Sequence, residues 1–192
     1  MTSETFNARP RIYLAGPDVF FPDRDDIFRT LKDRCERAGL AGLAPTDALL
    51  QDGTVAQGGD ALARAIYEGN VALLRSADGC IANLQAFRGL EPDSGTVFEV
   101  GFAAALGKPV VVYGVPEGTY AQRVAAALPC ERQEDGTLRE RAGGVLVEGL
   151  GQRLNLMLSC STVLAADAAE AVALMARLLR RNSAPFKQRH GD

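Results

Sequence analysis

The sequence predicts an α/β protein in which a parallel sheet carries helices on both faces. Strand-like apolar runs alternate with helix-periodic segments, and short turns join them. A chain of 192 residues with 47% hydrophobic content is long enough for one sizeable core and too short for two. No internal repeat, low-complexity segment or linker interrupts it. We therefore read residues 1–10 as a disordered N-terminus, 11–181 as a single domain and 182–192 as a polar tail.

Each element has a local reason. Arg11–Ala15 is a first strand, closed by Gly16-Pro17. Arg24–Ala38 is a helix with Ile27, Phe28, Leu31 and Cys35 on one face and Gly39 as its stop. Ala41–Ala44 is a short strand before Pro45. Gln51–Asp60 holds three glycines and no periodicity, which predicts a loop long enough to act as a lid. A helix over Ala61–Ser76 leads to a buried strand at Gly79–Leu84. Ser94 is the expected N-cap of a helix that stops at Gly107, and Val110–Tyr113 follows as a strand. Beyond Pro116 the pattern weakens. Ala121–Leu128 reads as a short helix, Gln133–Arg141 as polar and exposed, and Asn155–Ser161 as a helix start. Asp167 caps a final amphipathic helix to Arg181, with Ala171, Leu174, Leu178 and Leu179 facing inward.

Composition narrows the function. No apolar run approaches the ~20 residues that span a bilayer, and the first ten residues lack the apolar core of a secretory signal. A cytoplasmic protein without a membrane partner is expected. Five of the 21 basic residues lie from Arg177 onward, so the body is net acidic and poorly suited to a nucleic-acid polymer. Cys35, Cys80, Cys130 and Cys160 form no CxxC pair and read as core or near-core thiols. The single histidine, His190, lies in the tail, which disfavours His-based triads and His-rich metal sites.

The chemistry concentrates in Glu91–Gly101. Glu99 sits among Val97, Phe98, Val100, Gly101 and Phe102, a sheltered setting for an acid, and sheltered carboxylates are expensive unless they have a task. Ligands of open parallel sheets bind beyond the carboxyl ends of the strands. Three motifs are expected to meet there: Tyr13 with Gly16, Pro17, Asp18 and Phe20; Asp78; and Asp93 with Glu99. The acids lack the Asp-x-Asp or Glu-x-x-His spacing of a metal site, so neither metal nor cofactor is expected. Paired carboxylates at a sugar carbon are the better reading. Each residue also has a plainer use: Tyr13 as core, Asp78 as a turn cap, Asp93 as a helix N-terminal charge, and Asn155 as a helix cap.

The segments Ile12-Tyr-Leu-Ala-Gly-Pro17, Ser76-Ala-Asp-Gly79, Glu91-Pro-Asp-Ser-Gly-Thr96, Glu99-Val-Gly-Phe-Ala103 and Leu154-Asn-Leu-Met157 occur in that order. Together they resemble the nucleoside 2-deoxyribosyltransferase family. The resemblance implies a flavodoxin-like (Rossmann-like) fold and exchange of the base on a 2′-deoxynucleoside through a covalent deoxyribosyl-enzyme intermediate, a reaction of nucleotide salvage. It makes Glu99 the nucleophile, Tyr13 the residue that holds it, and Asp78 the proton donor to the leaving base. Asp93 would accept from the sugar 5′-hydroxyl. Asn155 would enter a neighbour's cleft, so a homodimer or higher homo-oligomer is implied. Gly16, Pro17, Phe20, Phe21, Asp47 and Met157 are the further candidates for the substrate pocket. The alternatives are an N-glycoside hydrolase of nucleosides or nucleoside 5′-monophosphates, and a non-catalytic nucleoside or nucleotide sensor.

Overall fold

The computed structural model describes residues 8–47 and 59–183. In chain order the elements are β1 (Arg11–Ala15), α1 (Arg24–Arg37), β2 (Ala41–Leu43), α2 (Asp60–Ser76), β3 (Gly79–Asn83), α3 (Ser94–Ala105) and β4 (Val110–Tyr113). They continue with α4 (Tyr120–Ala127), β5 (Cys130–Arg132), β6 (Leu138–Glu140), β7 (Leu146–Val147), α5 (Leu156–Ser161), β8 (Val163–Leu164) and α6 (Ala168–Ser183). A 3₁₀ turn, Pro17–Phe20, follows β1.

Five strands form one parallel sheet in the order β2-β1-β3-β4-β8. Its inner strands β1, β3 and β4 are buried on both faces because helices cover both. Tyr13, Ala15, Cys80, Ala82, Val110 and Val112 point to one side, against Leu73 and Leu74 of α2, Val100 and Ala103 of α3, and Leu158 of α5. Ile12, Leu14, Ile81 and Val111 point to the other, against Phe28, Leu31 and Cys35 of α1 and Ala171, Val172 and Met175 of α6. Each fully buried Val, Leu or Ile contributes about 1.5–3 kcal/mol. Gly79 explains how closely α6 lies on the sheet: a Cβ there would stand 2.7 Å from Met175 Sδ.

Several expectations change. β8 is two residues long, below the length at which periodicity is visible, yet it extends the sheet beside β4. Gln133–Arg141 is not simply an exposed loop. It supplies β6, the middle strand of a small antiparallel sheet β5-β6-β7, and a turn in which Asp135 accepts from Thr137. The buried stripe of α6 runs through Ala171, Val172, Met175 and Ala176, with Leu174, Leu178 and Leu179 packed at its margin. Cys160 is exposed, not near-core. Apart from Gly59 and Asp60, which lead into α2, the expected lid at Gln51–Asp60 lies outside the described residues. So do residues 1–7 and 184–192.

Candidate active site

Consecutive connections place α1 on one face of the sheet and α3 on the other, so the chain leaves β1 and β3 in opposite directions. The carboxyl ends of these two neighbouring strands therefore border a crevice, the topological switch point of the fold. Gly16 is buried at the end of β1, and a Cβ there would collide with Asp18 Oδ2 and stand 3.0 Å from Asn83 Cβ. Asn83, ending β3, donates its amide to Asp18 at 3.1 Å, and burial pushes the Asp18 carboxyl up. This pair ties the two strand ends together beneath the crevice.

α3 enters from the other side. Its N-cap is Asp93, one residue before the expected Ser94, and Asp93 Oδ2 accepts from Thr96 N at 2.9 Å and Thr96 Oγ1 at 3.0 Å. Thr96, Val100 and Ala103 face the core, which turns Glu99 toward β1. The Tyr13 hydroxyl donates to Glu99 Oε1 at 2.6 Å, across 86 residues of sequence. Tyr13 is 0% exposed; burial and the neighbouring Glu99 charge push its phenol far up, so it stays a donor. Burial raises the Glu99 carboxyl to about 7, the Tyr13 hydrogen bond opposes the rise, and the charge of Asp93 adds to it. At neutral pH such a carboxyl is about half ionised, poised between acid and nucleophile.

Gly16, Phe20, Thr46, Asn70, Asp93 and Glu99 are among the residues lining a cleft of about 400 Å³ here. At its rim Phe20 is 58% exposed and stacks on Phe87 at 5.4 Å between ring centroids, with the Arg88 guanidinium over both rings. Arg88 holds φ at +54°, a strained value for a residue with a side chain. Asn70 was not foreseen. It lies one turn before Leu73 and Leu74, so its only sequence signal was a polar residue on the inward face of α2.

Other expected residues lie elsewhere. Asp78 immediately precedes β3 and is exposed; its Oδ2 accepts from Arg11 N at 2.7 Å. That is the amino-terminal edge of the sheet, roughly 15 Å from the crevice at 3.3 Å per strand residue, so Asp78 cannot protonate a base bound there. The Asp47 carboxylate is taken up by Lys32 Nζ at 2.7 Å and Ala44 N at 2.9 Å, closing the turn after β2. Thr46 and Pro45 line the cleft in its place. Pro17 is buried in the 3₁₀ turn, and neither it nor Phe21 borders the cavity. Asn155 caps α5 by accepting from Met157 N at 3.0 Å and donates to Glu148 at 2.9 Å. With Met157, 71% exposed, it borders a second hollow of about 510 Å³ beside Pro92 and Val97, not the cleft of its own chain. Among the described residues, no three His, Cys, Asp or Glu side chains gather to hold a metal, and no helix is long and apolar enough to cross a membrane.

Comparison with known proteins finds relatives of this chain in sequence and in fold. The family model for nucleoside 2-deoxyribosyltransferases matches residues 12–157. A solved structure described as a 2-desoxiribosyltransferase from Leishmania mexicana is 30% identical, covering 88% of this chain and 97% of that one, with a TM-score of 0.68. A conserved protein from Enterococcus faecalis V583, 19% identical, shares the fold over 89% of this chain and 99% of its own, with a TM-score of 0.54. An uncharacterized protein of Schizosaccharomyces pombe is 36% identical over 118 residues, 60% of this chain. The match spans 54% of that relative's length.

Proposed function

The chain belongs to the nucleoside 2-deoxyribosyltransferase family, and from that premise we propose that it exchanges the base of a 2′-deoxynucleoside through a covalent deoxyribosyl ester of Glu99. The observation that carries the reading is the Tyr13 hydroxyl, 2.6 Å from Glu99 Oε1 on the wall of the cleft. It fixes the carboxylate and leaves Oε2 to attack C1′. Departure of the base leaves an oxocarbenium-like sugar, which a nearby carboxylate stabilises and then captures. A 2′-deoxy sugar lacks the electron-withdrawing hydroxyl beside that carbon, which makes the cation easier to form.

Asp93 also borders the cleft, and among the described residues only its Oδ2 is engaged, by Thr96. The other oxygen is available to accept from the sugar 5′-hydroxyl. A phosphate at that point would meet the carboxylate at close range, costing about 4 kcal/mol per unit charge at 4 Å and an effective dielectric near 20. Asp93 therefore favours nucleosides over nucleoside 5′-monophosphates. Asn155 and Met157, turned from their own cleft, support a homo-oligomer in which they serve the cleft of a neighbour.

The test is incubation with a 2′-deoxynucleoside and a second free base. Appearance of the exchanged nucleoside supports transfer, free sugar alone supports hydrolysis, and binding without turnover supports a sensor. With a 2′-fluoro-2′-deoxynucleoside, the peptide carrying Glu99 should gain one sugar mass, whereas a label on Asp93 would reassign the nucleophile.

A further inference from the structure

Asn70 reaches the nucleophile from α2. Its Nδ2 lies 3.4 Å from Glu99 Oε1, the oxygen that already accepts the Tyr13 hydroxyl. Its carbonyl Oδ1 is buried and has no hydrogen-bond partner among the described residues. A buried amide oxygen without a partner is costly, and this side chain lines the cleft, where a bound molecule can supply the missing donor. An amide accepts and donates hydrogen bonds but does not give up a proton at neutral pH. Among the described residues, the other groups that line the cleft offer no spare acid. Glu99 is the nucleophile, Asp93 caps α3, the Tyr13 phenol is committed to Glu99, and the Arg24 guanidinium does not deprotonate.

Resting on the exchange reaction proposed above, we propose that Asn70 holds the departing base and that the base leaves as its anion, with no carboxylic acid among the described residues protonating it. Glu99 Oε2 bonds to C1′ as the C1′–N bond breaks, and that electron pair stays on the ring nitrogen. Asn70 Oδ1 accepts from an N–H of the base, and water supplies the proton after departure. In the second half the incoming base yields its ring N–H proton to water. Its nitrogen then bonds to C1′ and the ester to Glu99 breaks. The substrates favoured are deoxynucleosides of bases with an acidic ring N–H and a further N–H donor, hypoxanthine ahead of adenine and cytosine.

The experiment compares single-turnover base release from deoxyinosine, deoxyadenosine and deoxycytidine by wild type and Asn70→Asp, and binding of free hypoxanthine to wild type and Asn70→Leu by calorimetry. Wild-type rates should fall about 100-fold or more from the most to the least acidic base. An aspartate beside Glu99 shares a proton with it through like-charge repulsion. Asn70→Asp should therefore flatten the dependence about tenfold and add a falling alkaline limb to the pH profile. Asn70→Leu should bind hypoxanthine about tenfold more weakly. An unchanged dependence and pH profile in Asn70→Asp, or unchanged binding in Asn70→Leu, would overturn the proposal. So would wild-type rates insensitive to base acidity, or wild type that binds no base. Base binding that depends on Asn70 in a wild-type protein without exchange would uphold Asn70 as the base's partner and fault the exchange reaction alone.

Discussion

At the scale of single residues, the site depends on what burial does to one carboxyl. Glu99 holds its proton to about pH 7 in the folded protein, against an ordinary value of 4.5. Between those values the folded state binds the extra proton, so stability falls as pH rises through that window. Glu99→Gln removes the buried charge. It should abolish exchange, match wild-type stability near pH 4, and exceed it near pH 8, as urea unfolding at the two pH values would show. A variant less stable than wild type at pH 8 would contradict the burial argument. Tyr13→Phe removes the donor that favours the ionised form. The rising limb of kcat/KM should then move above pH 7, and its plateau should drop about 10–100-fold, the worth of a hydrogen bond to a charged group. A limb unmoved or displaced downward would show that Tyr13 does not hold Glu99.

At the scale of elements, α3 carries both carboxylates of the proposed site, Asp93 at its N-cap and Glu99 within it, on one rigid rod. Asp93 serves the backbone through Oδ2 and faces the cleft as well. The two duties separate in Asp93→Asn, because asparagine caps helices as well as aspartate does. Thermal stability should stay close to wild type. At the same time kcat/KM should fall about tenfold through the weaker 5′-hydroxyl contact, which positions the sugar remotely from C1′. The same change removes the Asp93 charge that raises Glu99, so the rising limb should shift to lower pH, opposite to Tyr13→Phe. Loss of stability without loss of kcat/KM would reduce Asp93 to a cap.

For the whole molecule, the proposed assembly sets a neighbouring subunit against the face bearing Asn155 and Met157. If Asn155 serves a neighbour's cleft, Asp93→Ala and Asn155→Ala should each lower kcat/KM by one to two orders of magnitude. Subunits of the two variants mixed and exchanged should then regain activity. One mixed site carries both lesions and the other neither. No recovery after verified exchange, or a fully active monomer, would remove the shared-site reading.

What the sequence determined by itself was whatever depends on near neighbours in the chain. Apolar runs bounded by glycine and proline marked β1, β3 and β4, and periodicity marked α1 and α6, because strand and helix repeat over a few residues. Glu99 and Tyr13 were legible as chemistry because each sits in a motif with a sheltered or strand-end setting. The tertiary structure decided which carboxylates face one another. Asp78 and Asp93 looked alike as acids beside strands and helices, yet strand direction puts Asp78 at the amino-terminal edge and Asp93 at the carboxyl-terminal crevice. Asp47 was withdrawn by Lys32, fifteen residues away, and Asn70 was brought in by the packing of α2 against α3. Two-residue strands such as β8 carry no period and form only when β4 offers its edge. Spacing along the chain records local geometry, whereas a cleft is made where elements distant in sequence meet, and their meeting is fixed by burial and strand order.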